Sequence, residues 1–184
     1  MRESEPVALT RDLEVVEIPA GTRATLPTGA HVLVTQTLGG NYTVMTVDGY
    51  LYRVDGKDAD ALGHEIKAAD PRLTQPAGDG PVNEELVWDQ LRTVYDPEIP
   101  VNIVDLGLVY RCDIAPLDKG GHRIDIAMTM TAPGCGMGEY LKADVEEKLA
   151  TVPGIKEVNV EIVWEPMWDR DRMSEAAKLQ LGML

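Results

Sequence analysis

Apolar and polar residues alternate with a period of two through short stretches of the first third of the chain. Residues 13–18, 31–37, 42–47 and 50–54 are rich in β-branched and aromatic side chains, and each predicts a strand. The stretches are separated by Pro19-Ala20-Gly21, Pro27-Thr28-Gly29, Gly39-Gly40-Asn41 and Asp48-Gly49. Asp-Gly tolerates positive φ, so the last pair predicts a two-residue type I′ hairpin. Residues 1–66 therefore read as a small all-β domain, a barrel or a sandwich. The pattern fades over residues 67–82, where Ala69-Asp70-Pro71 and Gln75-Pro76-Ala77-Gly78-Asp79-Gly80-Pro81 have the composition of a linker.

Beyond residue 83 the period changes. Asn83 can cap a helix that starts Glu84-Glu85 and carries Leu86, Val87, Leu91, Val94 and Tyr95 on its apolar side. Asp96-Pro97 should stop it, because a residue before proline is pushed out of the α region. Leu108, Tyr110, Cys112 and Ile114 alternate with Val109, Arg111 and Asp113 as a strand, and Ile124, Ile126, Met128 and Met130 do the same after the Gly120-Gly121 turn. A second helix is expected over residues 138–150, with Met137, Leu141, Val145 and Leu149 in line. Pro153-Gly154 ends it, and Val158, Val160, Ile162 and Trp164 mark a third strand. The order α-β-β-α-β over residues 83–168 describes a compact sandwich, so the chain as a whole is α+β. Residues 169–184 predict a short amphipathic helix through Met173, Ala177, Leu181 and Leu184, which either packs back onto the domain or stands free.

Composition narrows the function. The 184 residues carry 31 acidic and 17 basic side chains, for a net charge of −14. So negative a surface repels phosphate backbones, which argues against nucleic acid and anionic membranes as partners. No stretch approaches the ~20 consecutive apolar residues of a membrane span. The start Met1-Arg2-Glu3-Ser4-Glu5-Pro6 lacks the regions of a signal peptide, so a cytoplasmic protein is expected. With two cysteines, Cys112 and Cys135, neither a disulfide framework nor a one-chain zinc site is expected.

The densest chemical signal is Thr129-Met130-Thr131-Ala132-Pro133-Gly134-Cys135-Gly136-Met137-Gly138, between a strand end and a helix start. Glycines there allow unusual backbone angles and close approach of another molecule. Free N–H groups at a helix start favour the thiolate, so Cys135 can bind a soft metal, attack an electrophile or be oxidised. The bland reading is a small residue in a tight turn, and three flanking glycines argue against it. Cys112, on the apolar side of a strand, is the reverse case, a small hydrophobe. Asp96 and Glu98 flank a stiffening proline. Such a pair can do acid–base work or add hard ligands to a metal, and can equally cap a helix and bond a turn. Asp105 reads as a turn residue. His31 and His64 stand alone. His122, at a hairpin turn, should lie roughly 20 Å or more from Cys135 by strand rise, too far to serve as its base.

Asp96-Pro97-Glu98-Ile99-Pro100, the run Val104-Asp105-Leu106-Gly107-Leu108-Val109 and Thr131-Ala132-Pro133-Gly134-Cys135 resemble the PaaD-like domain of iron–sulfur assembly factors. Val152-Pro153-Gly154-Ile155 looks like that family's closing segment. The appended β domain and the tail with Trp168 are similar to the family's long form, which serves the SUF pathway. The resemblance implies a non-enzymatic accessory role in maturing iron–sulfur proteins, with scaffold or client apoproteins as partners. Carried over by position, Cys135 matches the motif cysteine and metal ligand, and Asp96 and Glu98 match the acidic loop. It also implies a homodimer. One motif cysteine cannot hold a cluster that wants four ligands, so a labile iron–sulfur cluster bridged between subunits is expected. A pure protein adaptor without metal is the second hypothesis, and a thiol-dependent redox protein the third. The third lacks a resolving cysteine.

Overall fold

The computed structural model describes residues 5–78, 80–96, 98–134 and 136–183, so Asp79, Pro97, Cys135 and Leu184 lie outside the described residues. The chain forms two compact units, Met1–Ala68 and Ala69–Leu184.

The first unit is one antiparallel sheet rather than a sandwich. Its strands β1 (Val7–Ala8), β2 (Leu13–Ile18), β3 (Arg23–Leu26), β4 (His31–Leu38), β5 (Asn41–Thr46) and β6 (Leu51–Val54) lie in the order β1-β4-β5-β6-β2-β3. Alternation puts Leu13, Val15, Leu26, Val32, Val44 and Val54 on the buried side, where a 3-10 segment, Gly56–Leu62, adds Ala59, Ala61 and Leu62. Arg11 ties that segment down through Asp58 at 2.7 Å and Asp60 at 2.8 Å. Strands β1 and β3 were not expected. Each is too short to show a period, and β3 (Arg-Ala-Thr-Leu) sits between two turn signals.

The type I′ signal belongs to the other hairpin. Leu38 pairs with Asn41 across Gly39 and Gly40, whose φ values of 59° and 84° are both positive as that turn requires. At Asp48-Gly49 only the glycine has positive φ. Its N–H donates to the Thr46 carbonyl at 2.9 Å while the Thr46 N–H reaches the Tyr50 carbonyl, giving a three-residue loop closed by a glycine bulge.

The second unit follows the order α1 (Glu84–Leu91), β7 (Val109–Pro116), β8 (His122–Met128), α2 (Gly138–Ala150), β9 (Ile155–Ile162) and α3 (Glu175–Gln180). Asn83 caps α1 by accepting the Leu86 N–H at 3.2 Å. Helix α1 stops four residues short of Tyr95, because Ile103 N–H takes the Val94 carbonyl at 2.9 Å and Tyr95 bridges to Asn102. Val94 is still fully buried, so its apolar signal was genuine although its helical placement was not. Strand β8 lies in the middle, antiparallel to β7 and parallel to β9, with α2 as the crossover.

Ile124, Ile126 and Met128 on β8 are buried together with Leu141, Val145 and Leu149 of α2, and α1 packs on α2. The other sheet face is charged. Arg111, Asp113, Arg123, Glu157 and Glu161 are exposed there, with Arg123 on Asp125 at 2.9 Å. Within residues 67–82, a 3-10 turn at Pro71–Leu73 puts Arg72 between Asp70 (2.6 Å) and Asp89 of α1 (2.7 Å). Among the described residues no helix is long and apolar enough to cross a membrane.

In the first unit, Asp12 accepts both the hydroxyl of Thr28 at 2.7 Å and its N–H at 2.8 Å, and these bonds hold its carboxyl below the usual range. A carboxyl lowered in the folded state stabilises above its unfolded pKa of ~3.9, and that contribution is lost as pH falls through the folded value. Asp12→Asn is expected to lower stability at pH 7 and to flatten the acid limb below about pH 4. Denaturant unfolding across pH 2–7 checks this, and parallel wild-type and variant curves would refute it.

Candidate functional site

Two loop segments meet at one end of the second sheet. The first, residues 94–108, is folded by its own polar side chains. Asp96 is 4% exposed, and its Oδ1 accepts the N–H groups of Glu98 and Ile99, both at 2.9 Å. Six residues on, Asn102 and Asp105 repeat the device. The Asp105 N–H donates to Asn102 Oδ1 at 2.9 Å, and Asn102 Nδ2 donates to Asp105 Oδ2 at 2.6 Å. Asp105 is thus a turn residue, as read from the sequence. Glu98 is exposed.

The second segment, residues 129–137, leaves the end of β8. Among the described residues it is joined to the first by a bond from the Thr129 N–H to the Leu108 carbonyl at 2.8 Å. Beside that joint, the Val163 N–H donates to the Met128 carbonyl at 2.8 Å, so the exit of β9 closes the same end. Ala132, Pro133, Gly134 and Gly136 are exposed, and no atom lies within 4 Å of where a Cβ would sit on Gly134, Gly136 or Gly138. Gly134 needs its positive φ of 79°. The other two glycines leave open space without any packing need for it. Met137, 5% exposed, anchors the loop beneath α2, whose first turn has no side-chain cap.

The expected site residues fare differently. Cys135 lies outside the described residues, though its neighbours on both sides are exposed. The Asp96 carboxylate is engaged by the turn it closes, while Glu98 is free to face solvent. His122 opens β8 opposite Pro116, seven residues of strand away from the glycine loop. Cys112 pairs opposite Ile126 and is half-buried, its thiol pushed up to about 11 by desolvation and then by the nearby charges of Asp113 and Glu84. It is a packing residue. Among the described residues no group of three or more His, Cys, Asp or Glu is arranged to hold a metal.

Sequence reasoning missed the brace behind these loops. The Trp168 indole N–H donates to the Leu106 carbonyl at 2.7 Å, Ser174 N–H to the Asp105 carbonyl at 2.8 Å, and Gln180 Nε2 to the Pro100 carbonyl at 2.9 Å. Arg172 lies 4.7 Å from the Tyr110 ring centre, and the Tyr110 hydroxyl donates to the Pro166 carbonyl at 2.8 Å. The tail therefore packs back, with Met173 and Ala177 buried. Its helix α3 is six residues long because Ser174 caps it late, after a 3-10 turn. Gly107, at φ 73°, has the Arg172 carbonyl oxygen where any added Cβ would sit.

An uncapped helix start lies behind an exposed, glycine-framed loop on a two-layer α+β scaffold. Residues 84–162 match the family model described as iron–sulfur cluster assembly protein. The chain is 45% identical over 101 residues to the Fe-S protein maturation auxiliary factor of Porphyromonas gingivalis, covering 55% of this chain and 92% of that one. It is 42% identical over 100 residues to the factor YitW of Bacillus subtilis, covering 54% and 94%. To the factor SufT of Staphylococcus aureus it is 43% identical over 90 residues, covering 49% and 98%. The chain belongs to the iron–sulfur cluster assembly protein family.

Two outcomes follow from the local geometry. In a Cys135→Ser background, Cys112 should alkylate slowly with iodoacetamide at pH 7 and gain about tenfold per pH unit on approach to its raised pKa. Rapid labelling at pH 7 would contradict the packing role. Asp96→Ala, which strips two turn N–H groups of their acceptor, should cost about 1–3 kcal/mol in urea unfolding, and Asp96→Asn less. Equal and negligible losses would show that the turn does not need the carboxylate.

Proposed function

We propose that this protein is an accessory factor in the maturation of iron–sulfur proteins, working by binding rather than catalysis through the loop that carries Cys135. The observation that carries the reading is the membership of residues 84–162 in the assembly family, joined to the open space around the glycines on either side of Cys135. A thiolate supplied from such a loop is a soft ligand for iron. The cluster is cargo here. One chain offers one motif cysteine, so the remaining ligands come from a second subunit and from the client or scaffold that gives or takes the cluster. Glu98, exposed, is the carboxylate available to add to the set, and Asp96 shapes the turn that presents it. Incomplete ligation by any one partner favours transfer over storage. The protein acts as a homodimer in the cytoplasm, and its partners are assembly scaffolds and client apoproteins of the SUF pathway.

Anaerobic reconstitution with iron and sulfide, comparing the native protein with Cys135→Ser, tests this. Expected are sulfur-to-iron charge-transfer bands and iron bound per dimer in the native protein, both lost in the variant. No bound iron in either protein would overturn cargo binding and leave an adaptor that holds clients without metal.

A further inference from the structure

The family match ends at Ile162, and the residues beyond it make no direct hydrogen bond to the glycine loop among the described residues. They act one step back. The tail contributes three hydrogen bonds, from Trp168, Ser174 and Gln180, to carbonyls of Leu106, Asp105 and Pro100. These anchors lie on the segment that includes Leu108, whose own carbonyl holds Thr129. Gly107 sits between anchor and joint, and its missing side chain is the space that the Arg172 backbone occupies. Residues 129–134 are otherwise largely exposed beyond Met130, with open space at Gly134. Beside the buried Met130 and Met137, their position thus depends on a neighbour that is itself fixed from behind.

We infer that Trp168, together with Arg172 against Gly107, is a positioning element for the functional loop: the tail holds residues 105–108 rigid, and through the Leu108–Thr129 bond it presets residues 129–134 for ligation. This rests on the proposed function for its consequence, but not for its mechanics. Loosening the tail leaves the sheet, whose core of Ile124, Ile126 and Met128 is built without it, and frees the loop. A loop that must be ordered at the moment of binding holds its cargo less well, because the ordering entropy is then taken from the binding energy.

The test uses the full chain with Trp168→Phe, which keeps most of the ring and removes the indole donor. Ile124→Val is the control, since it weakens the sheet core by a comparable amount without touching the tail. In the cluster-free protein, N–H order parameters of residues 129–132 and 134 (Pro133 has no N–H) are expected to fall from the rigid range near 0.85 toward about 0.6 in Trp168→Phe and to stay unchanged in Ile124→Val. The Thr129 amide proton should move upfield as its bond to Leu108 weakens. Gly107→Ala, which forces the Arg172 backbone away, should reproduce both changes. In reconstituted protein, iron should be lost to a ferrous chelator about fivefold faster in Trp168→Phe than in the control. Order parameters equal in Trp168→Phe and Ile124→Val would overturn the inference, as would loosening confined to residues 105–108. A wild type that holds no iron overturns the carrier reading alone, and the relaxation data then decide the positioning role by themselves.

Discussion

A parallel pair of strands cannot be closed by a tight turn, and the pairing of β8 with β9 governs the C-terminal unit for that reason. The chain must leave β8 at one end of the sheet, return along its length, and enter β9 at the other. Helix α2 makes the return, burying Leu141, Val145 and Leu149 over Ile124, Ile126 and Met128. The exit from β8 therefore becomes a strand-to-helix loop, facing the uncapped first turn of a helix, at the end where β7 begins and β9 finishes. The glycine-rich segment occupies that loop. Its chemistry follows from topology as much as from composition: exposed backbone, donors from a helix start, and a neighbouring loop near enough to hold it.

Local signals account for most of what the sequence shows of this fold. Helix α2 was legible to the residue because a 3.6-residue apolar stripe and a Pro-Gly stop are both local. The hairpin β7–β8 was legible because apolar positions alternate on both sides of Gly120-Gly121, but the register shift at Tyr110 near its open end was not. Shorter pieces were not. Strand β1 has two residues and β3 four, below the length at which a period exists. The early end of α1 was hidden because Val94 and Tyr95 continue the apolar stripe, while the bridge to Asn102 that pulls them out of the helix is a tertiary contact.

The site divides along the same line. Its glycines and its carboxylates were visible as residue types in a suggestive order, and the turn bonds of Asp96 were not. Those bonds turn on where two N–H groups point, which only the folded loop reveals. The brace was invisible for a stronger reason. Trp168 and the Leu106 carbonyl are 62 positions apart, and a backbone carbonyl carries no signature in sequence at all. Gly107 was the one local trace: its turn, closed by its N–H on the Val104 carbonyl, accounts for its positive φ, and the space beside it is filled by Arg172.

The brace also lies C-terminal to everything it supports, which gives the site an order of assembly. Synthesis delivers the chain from its N-terminus at about 5–20 residues per second, and domains fold as their segments emerge. By the time β9 has left the ribosome the sheet and both of its helices are complete, yet the carbonyls of Pro100, Asp105 and Leu106 still lack their partners from the tail. A nascent chain at that stage has a finished scaffold and an unsupported loop. Residues 168–180 supply those partners, so a loop positioned as inferred above is steadied only after that segment has been made.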